Sequence, residues 1–314
     1  MVRVLVTGKG GQLATELSIS IPNFVEFLCL SSDELNICDS DEVDEVITSF
    51  NPDVVVNAAA YTRVDLAENN SAQSFLVNEQ GVKNLAKACQ NINAQLIHIS
   101  TDYVYDGTGN KPYKTTEQVS PVNVYGHSKL AGENALKAFP ELSKMVIRTS
   151  WVYSKYGNNF VKTILNLLKS KQSVSVIYDQ IGTPTWAAGL ADTIWETIAK
   201  QFDSSTQTFC PTSSLLSTES DKELAVYHWT DAGVASWYDF AESIQDLAFE
   251  KGLIEKKIPI IPIPDSDFPT IARRPRYSVL CKAETESFLG KQTQHWRKQL
   301  SLMLDELKIE SETT

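Results

Sequence analysis

A tyrosine and a lysine, Tyr125 and Lys129, stand four residues apart in the stretch YGHSKLAGE. In a helix, residues with this spacing project from one face, about 6 Å apart along the axis. A phenol can give or take a proton, and a nearby ammonium favours the phenolate and lowers the tyrosine pKa. The spacing therefore allows acid–base chemistry, although the same short pattern also occurs where the two side chains form only a solvated pair.

Hydroxyl and carboxyl groups precede this helix. Thr101 and Asp102 follow the apolar run QLIHIS at 95–100, which reads as a buried strand. A loop containing Gly107, Gly109 and Pro112 then leads to the helix with the tyrosine. An O–H pair aimed at a carbonyl oxygen would stabilise the negative charge that develops there during reduction and supply the proton.

A glycine-rich turn lies at the start of the chain. The strand-like run at 2–6 leads into TGKGGQLA, in which Gly8 and Gly11 are three apart and a helix opens at 11–12. Glycine lets the backbone approach a pyrophosphate, whose charge is favoured at a helix N-terminus. The turn is typical of dinucleotide-binding folds, which tolerate Ala14 at the third position, but an ordinary glycine-rich turn is the alternative.

The elements that must position these residues alternate between strands and helices. Strand-like runs recur at 24–30, 53–57, 95–100 and 145–149, with helical patterns between them near 40–50, 71–91 and 121–139. Such alternation predicts a parallel sheet with right-handed crossovers, in which ligands bind at the carboxyl ends of the strands. The candidate residues follow strand ends, including the segment 58–62 and Trp151.

The fold class that follows is α/β. We predict a doubly wound parallel sheet (Rossmann) domain at 1–150 and a smaller C-terminal α+β substrate lobe at 151–314, which returns partly to the first domain. Helical patterns lie near 157–170 and 186–200 within that lobe. Half of the residues at 203–222 are Ser or Thr, which predicts an exposed insertion outside the chemistry.

Charge and cysteine usage exclude several function classes. The formal charge of −11 opposes non-specific binding to nucleic acid or anionic membranes. No apolar run approaches the roughly 20 residues that span a bilayer, and no signal peptide is evident. The five cysteines are scattered, and neither they nor the four histidines show metal-ligand spacing. Reduced, mostly buried thiols in a cytoplasmic enzyme are therefore expected.

The end of the second strand bears on the choice of nicotinamide cofactor. An acid there would bind the adenosine ribose, and an arginine would accept a 2′-phosphate. The stretch LSSDE at 30–34 places its acids slightly late, with no Arg or Lys nearby. NADH is weakly favoured, and use of either NADH or NADPH stays open.

Several motifs together are similar to the extended short-chain dehydrogenase/reductase family. They are TGKGGQLA, NAAAYTRVDLAE, STDYVYDG, YGHSKLAGE and RTSWVY in the first half, and GNNF, DQIGTPT, YHW and ARRP in the second. The resemblance therefore covers nearly the whole chain, and the combination is more specific than any single motif. It favours the branch that reduces dTDP-linked 4-keto sugars.

The resemblance implies roles for particular residues. Tyr125 would protonate the carbonyl oxygen, Thr101 would hydrogen-bond to it, and Lys129 would hold the nicotinamide ribose. The implied cofactor contacts are Gly8, Gly11, Gln12, Leu13, Asn36, Ile37, Ala58, Ala59, Ala60, Tyr61, Thr62, Tyr125 and Lys129. The implied substrate contacts are Thr101, Asp102, Tyr103, Tyr125, Trp151 and Arg274, the last from a basic cluster at 268–276 whose forks suit a diphosphate. Asp65 and Glu68 could be substrate contacts or helix-start acids.

The implied reaction is NAD(P)H-dependent reduction of the 4-keto group of a dTDP-6-deoxyhexulose to dTDP-L-rhamnose, a donor for surface polysaccharides. One alternative is a non-catalytic NAD(P)-binding regulatory subunit resembling the β subunit of methionine adenosyltransferase. Another is a different nucleotide-sugar reductase, epimerase or dehydratase, although Tyr103 stands where dehydratases have Glu. The nucleotide base is implied by the resemblance alone.

Some members of the family dimerise around Mg²⁺ held by acidic residues. Glu16 and Glu306 correspond to two of those positions, but the third is Ala188. A metal-bridged dimer is therefore doubtful, and a monomer or a homodimer without metal is equally expected.

Overall fold

A computed structural model describes residues 1–203, 205–206, 208–210 and 224–313, with side chains described as far as residue 310. Most of the predicted insertion at 203–222 therefore lies outside the described residues. Of its described members, Asp203, Ser205, Thr206, Thr208 and Cys210 are exposed, whereas Phe209 is partly buried against a core cluster.

Six strands form the main sheet, and eight short strands form two-stranded pairs elsewhere in the described part of the chain. In chain order they are β1 (Val2–Thr7), β2 (Val25–Leu30), β3 (Val54–Asn57), β4 (Gln95–Thr101), β5 (Lys144–Thr149), β6 (Val152–Tyr153), β7 (Val174–Ile177), β8 (Ile181–Gly182), β9 (Thr185–Trp186), β10 (Phe202–Asp203), β11 (Thr208–Phe209), β12 (Ala225–His228), β13 (Ala235–Ser236) and β14 (Ile260–Ile263).

Helices connect most of these strands. They are α1 (Gln12–Ile19), α2 (Ser40–Phe50), α3 (Val64–Asn69), α4 (Ser71–Phe75), α5 (Gly81–Asn91), α6 (Val124–Leu136), α7 (Phe160–Ser170), α8 (Ala187–Lys200), α9 (Trp237–Glu250), α10 (Ala283–Leu289) and α11 (Trp296–Thr313). Leu76–Gln80 forms a π-helical turn, and Asp102–Val104 and Asp265–Asp267 are 3₁₀ turns. No described helix is both long and apolar enough to cross a membrane.

The main sheet confirms the predicted parallel α/β architecture. Its strand order is β12-β5-β4-β3-β1-β2, and every neighbouring pair is parallel. The strand order reverses next to β1, which is where ligands bind in sheets of this kind. Since parallel strands share one direction, the residues after β1, β3, β4 and β5 meet at one edge of the sheet.

Apolar side chains bury both faces of the sheet. On one face, Leu17 of α1 and Ile194 of α8 pack against Val4 and Val6 of β1. On the other face, Ile47 of α2, Leu85 of α5 and Leu136 of α6 pack in a second cluster. A third cluster, built mainly from α7, α9 and α11, forms the core of the C-terminal part of the chain.

The helix predicted at 71–91 is not continuous, because the π turn Leu76–Gln80 separates α4 from α5. This turn brings the Asn78 side chain to the backbone of Tyr61. Its Oδ1 accepts from the Tyr61 amide at 2.8 Å, and its Nδ2 donates to the Tyr61 carbonyl at 3.0 Å. Gly132 of α6 packs directly on the Asn78 carbonyl, where a Cβ atom would collide. Periodicity alone cannot reveal a single extra residue within a helical turn.

The cysteines are all free thiols, as expected, but the expectation that most are buried is wrong. Cys89 is buried, Cys210 is exposed, and Cys29, Cys38 and Cys281 are intermediate. Cys29 and Cys38 lie on or next to the outermost strand of the sheet and its loop, where fewer elements cover the side chains.

Candidate active site

A cleft of about 980 Å³ runs along the carboxyl edge of the sheet. Every residue expected to bind the cofactor lines it: Gly8, Gly11, Gln12, Leu13, Asn36, Ile37, Ala58, Ala59, Ala60, Tyr61, Thr62, Tyr125 and Lys129. Five of the six expected substrate contacts also line it, namely Thr101, Asp102, Tyr103, Tyr125 and Trp151. Strand ends far apart in sequence therefore form one continuous surface.

The glycine turn at the head of the cleft suits a pyrophosphate. Gly8 has a φ of 85°, and a Cβ atom there would lie 2.8 Å from the amide nitrogen of Ala59. Gly11 caps α1 without any side-chain hydrogen bond, so the first amides of the helix are left for another acceptor. Backbone amides at a helix N-terminus bind anionic groups, and this turn therefore fits the diphosphate of a dinucleotide.

Lys9 lies close to the end of the second strand, where it bears on the choice of nicotinamide cofactor. Its Nζ lies 2.9 Å from the Glu34 carboxylate, and both residues are substantially exposed. The Ser31 amide and Lys9 together lower the pKa of Glu34 to about 2. Contrary to the expectation from sequence, a basic residue does lie near the end of the second strand, because the glycine turn brings Lys9 to that position.

Thr101 and Asp102 sit where β4 ends. The Thr101 hydroxyl donates to Asp102 Oδ1 at 3.0 Å and accepts from the Tyr103 amide at 3.1 Å. Asp102 is buried, and this burial raises the pKa of its carboxyl to about 7, although hydrogen bonds from Ser278 and Thr101 oppose the rise. The cleft therefore contains a carboxyl group that titrates close to neutral pH.

Tyr125 stands in the first turn of α6, which is held at its N-terminus by two side chains. Asn123 accepts from the Gly126 amide at 2.8 Å, and Glu68 accepts from the Val124 amide at 2.9 Å. Burial raises the pKa of Tyr125 to about 12, while a hydrogen bond with Thr101 opposes the rise. The expected lowering by a lysine is absent, because the Lys129 amine is directed to β4 instead.

Lys129 is buried, with 2% of its surface exposed. Its Nζ donates to the Ile99 carbonyl at 2.7 Å and lies 3.3 Å from His98 Nε2. Burial lowers the pKa of Lys129 to about 8, and the Glu133 carboxylate opposes this shift. The sequence spacing of Tyr125 and Lys129 thus predicted that both residues lie in the cleft, but it did not predict which group each side chain contacts.

Trp237 is a cleft residue that sequence reasoning missed. Its ring stacks on Trp151 with centroids 3.5 Å apart and planes 6° apart. Trp151 has a φ of 47°, a left-handed conformation that is strained for a bulky residue, and its ring packs directly on Gly182. The only sequence signal at Trp237 is an aromatic residue in the first turn of a helix, which does not distinguish packing from binding.

Arg274 does not line the cleft. Its guanidinium binds Asp65 through two hydrogen bonds of 2.6 Å and 3.1 Å, and Asp65 also accepts from the Ala272 amide at 3.0 Å. The fork expected to bind a diphosphate is therefore occupied by a carboxylate at the start of α3. Of the two acids left open from sequence, Asp65 makes this ion pair and Glu68 caps α6.

The acids considered for a metal bind protein groups instead. Glu16 accepts from the Ser154 hydroxyl at 2.6 Å, and Lys155 lies 3.2 Å from Glu306. Among the described residues, no group of three or more His, Cys, Asp or Glu side chains is placed to hold a metal ion.

The parallel sheet, the glycine turn and the Thr101, Tyr125 and Lys129 constellation define a dinucleotide-dependent oxidoreductase of the extended short-chain dehydrogenase/reductase class. A family model described as the RmlD substrate binding domain matches residues 2–309, so the chain belongs to this family.

Named relatives cover nearly the entire chain. A dTDP-4-dehydrorhamnose reductase of Aggregatibacter actinomycetemcomitans is 38% identical over 302 residues, which cover 96% of this chain and 97% of that protein. One from Escherichia coli K12 is 35% identical over 311 residues, 98% of each chain. A crystal structure of the Bacillus anthracis dTDP-4-dehydrorhamnose reductase in complex with NADP matches with a TM-score of 0.84 at 32% identity, covering 97% of this chain and 99% of that one.

Proposed function

We propose that the protein is an NAD(P)H-dependent reductase that converts dTDP-4-dehydrorhamnose to dTDP-L-rhamnose. The observation that carries this proposal is the single cleft in which the Gly8–Gly11 turn lies along the same sheet edge as Thr101, Tyr125 and Lys129. Relatives named dTDP-4-dehydrorhamnose reductase, similar over nearly their whole length, support the identity of the sugar nucleotide.

When bound, a reduced nicotinamide supplies the hydride that reduces the ketone. Tyr125 donates a proton to the carbonyl oxygen, since a phenol with a pKa of about 12 is protonated at neutral pH. Thr101 donates a second hydrogen bond to that oxygen and stabilises the negative charge that develops there. Lys129, one helical turn from Tyr125, holds the ribose next to the reacting ring.

Either nicotinamide cofactor fits the adenosine end of the cleft. Lys9 provides a cation for a 2′-phosphate, as NADP(H) requires, whereas Glu34 provides an acceptor for a free ribose hydroxyl, as NAD(H) requires. The Bacillus anthracis relative, which was crystallised with NADP, shows that a protein of this fold holds the phosphorylated cofactor.

The two halves of the chain divide these tasks. Residues 1–150 hold the cofactor, while residues 151–314 mainly form the sugar side through Trp151 and Trp237 and add β12 to the main sheet. The protein would act as a cytoplasmic monomer or homodimer that supplies a rhamnose donor for surface polysaccharide. Asp102 and Tyr103 complete the sugar pocket, while the apolar side chains of the following loop (Val104, Tyr105, Tyr113 and Val119) pack in a cluster with Tyr277 and Leu280.

The test is oxidation of NADPH or NADH by purified protein in the presence of dTDP-4-dehydrorhamnose, with dTDP-L-rhamnose identified by mass spectrometry. We expect Tyr125→Phe to lower kcat about 10²- to 10⁴-fold, because the proton donor is lost. Tyr178→Phe, at an exposed tyrosine outside the cleft, is the matched control and should retain wild-type kcat. Absence of turnover in the wild type, or full turnover in Tyr125→Phe, would contradict the proposal.

A further inference from the structure

A chain of buried polar side chains lies beneath Lys129. Thr7, Asn57 and His98 come from the neighbouring strands β1, β3 and β4, and all three are at most 1% exposed. They form one row across the sheet, because Thr7 is in register with Asn57 and Asn57 with His98. Register partners on adjacent strands project to the same face, so strand pairing itself aligns the row with the Lys129 amine.

The hydrogen bonds of this row have a direction. The Ala59 amide donates to the Thr7 hydroxyl at 3.2 Å, and that hydroxyl donates to Asn57 Oδ1 at 2.7 Å. The Asn57 amide nitrogen, a donor, then faces His98 Nδ1 at 3.1 Å. A neutral imidazole has one donor and one acceptor nitrogen, so Nδ1 accepts and the ring proton lies on Nε2.

His98 Nε2 is the atom that faces Lys129, at 3.3 Å from Nζ. Burial is the main cause that holds the pKa of His98 well below its ordinary value, so the ring is neutral. An amine can accept the Nε2 proton through its lone pair, whereas an ammonium has no lone pair and would oppose it. The row therefore favours the neutral form of Lys129 while the Ile99 carbonyl takes one of its N–H groups.

We propose that His98 is a positioning residue for Lys129, oriented by Asn57 and Thr7, which places the amine beside the Ile99 carbonyl and favours its neutral form in the cofactor-free protein. The consequence of this positioning is that Lys129 is aligned to meet the nicotinamide ribose, and that consequence rests on the proposed function. Burial lowers the Lys129 pKa to about 8, so the neutral amine becomes accessible as the pH rises towards that value.

Other ionisable groups near Lys129 do not account for the orientation. Glu133 lies one turn further along α6, but its carboxylate binds Arg148 at 2.6 Å and accepts from Ser100. Tyr125, one turn earlier, has Thr101 as its partner. His98 is therefore the titratable group that β4 presents directly to the amine.

The first test uses the wild-type protein without cofactor, so it does not depend on activity. Imidazole ¹⁵N NMR should show His98 protonated on Nε2 and unprotonated on Nδ1. Thr7→Val removes the hydroxyl that orients Asn57 and should reduce the population of this tautomer. Protonation of His98 on Nδ1 in the wild type would overturn the proposal, whether or not any variant folds.

A matched pair of variants separates the two contacts of His98. In His98→Asn the side-chain amide reaches the position of Nδ1 and keeps the contact with Asn57. In His98→Gln it reaches the position of Nε2 and keeps the contact with Lys129. Lysine ¹⁵Nζ NMR measures the Lys129 pKa, and Lys129→Gln identifies its signal. His98→Asn should raise this pKa towards its ordinary value, and His98→Gln should raise it less. KM for NADPH should increase about tenfold in His98→Asn and less in His98→Gln.

The outcomes distinguish this proposal from the proposed function. If the wild type does not reduce the sugar nucleotide, the function fails while the tautomer and the Lys129 pKa still test the role of His98. If the wild type is active and His98→Asn keeps both the wild-type Lys129 pKa and the wild-type KM, the positioning role is overturned.

Discussion

At the scale of single residues, burial sets the protonation of the groups in the cleft. The pKa of Asp102 is raised towards neutral pH and that of Lys129 is lowered towards it, because desolvation disfavours the charged form of each group. The same effect raises the pKa of Tyr125 further above neutral pH. The cleft thus keeps its proposed proton donor protonated and has other groups that titrate in the physiological range.

Asp102 should give the reaction a pH dependence. Its carboxylate form is the stronger acceptor and holds the Thr101 hydroxyl away from the substrate oxygen. Since its folded pKa is about 7, kcat/KM should fall as the pH rises through that value and level off once the carboxylate form predominates. A pH profile of Asp102→Asn should lack this step. A step near pH 7 that persists in Asp102→Asn would assign it to another group.

Lys9 and Glu34 should set the preference between cofactors. Lys9→Gln removes the cation available to a 2′-phosphate and should raise KM for NADPH about two- to fivefold, as for a solvent-exposed charge contact. Glu34→Gln removes the opposing charge and should shift the preference towards NADPH. The measurement is the ratio of kcat/KM for NADPH and NADH. Equal changes with both cofactors in Lys9→Gln would show that the lysine does not read the phosphate.

At the scale of elements, α6 is held against the sheet by buried polar contacts. Glu133 on α6 binds Arg148 on β5 with Nε at 3.0 Å and Nη2 at 2.6 Å. Ser128 on the same helix contacts Ser74 and Asn78, each at 2.9 Å. Ser128 lies between Tyr125 and Lys129 in sequence, and Glu133 lies one turn after Lys129. These contacts therefore fix the rotation of the helix and the position of both side chains.

Breaking the ion pair between α6 and β5 should destabilise the whole protein. Glu133→Gln leaves the Arg148 charge buried and uncompensated, which costs about 3–5 kcal/mol of unfolding free energy. Asp246→Asn, at the exposed pair with Lys257, is the control and should cost at most about 1 kcal/mol. Chemical denaturation measures both. Similar losses in the two variants would show that the buried pair has no special role.

At the scale of the whole molecule, the cleft depends on contacts between the two halves of the chain. β12 completes the main sheet at β5, and His228 at its end contacts the Tyr105 hydroxyl at 2.9 Å and the Cys281 carbonyl at 3.1 Å. The stacked Trp151 and Trp237 rings join the end of β5 to the start of α9. The C-terminal half therefore supplies part of the cleft wall and part of the sheet beneath it.

The tryptophan stack should be visible by spectroscopy. Two indole rings at 3.5 Å couple their transitions and give a paired positive and negative circular dichroism signal. Trp237→Leu should abolish this signal and raise KM for the sugar nucleotide more than it lowers kcat, because Trp151 loses its support. Trp195→Phe, in a separate cluster, is the control and should keep the signal. A signal unchanged in Trp237→Leu would contradict the stacked arrangement.

Local sequence patterns alone determined the parallel sheet, the approximate bounds of α2, α6, α7 and α8, the glycine turn and the Tyr125–Lys129 face. These features depend on residues close together in the chain, whose periodicity and turn chemistry are visible without tertiary structure. Even the grouping of strand ends followed from sequence, because parallel strands present their carboxyl ends at one edge.

Tertiary structure decided which partner each side chain meets. Lys9 pairs with Glu34 across two strand ends, Arg274 pairs with Asp65 from the other half of the chain, and Lys129 contacts His98 rather than Tyr125. These contacts depend on strand register and on how the C-terminal half packs, neither of which is encoded in local periodicity. Residue types and their order therefore specified the kind of site, while packing set its charges and hydrogen bonds.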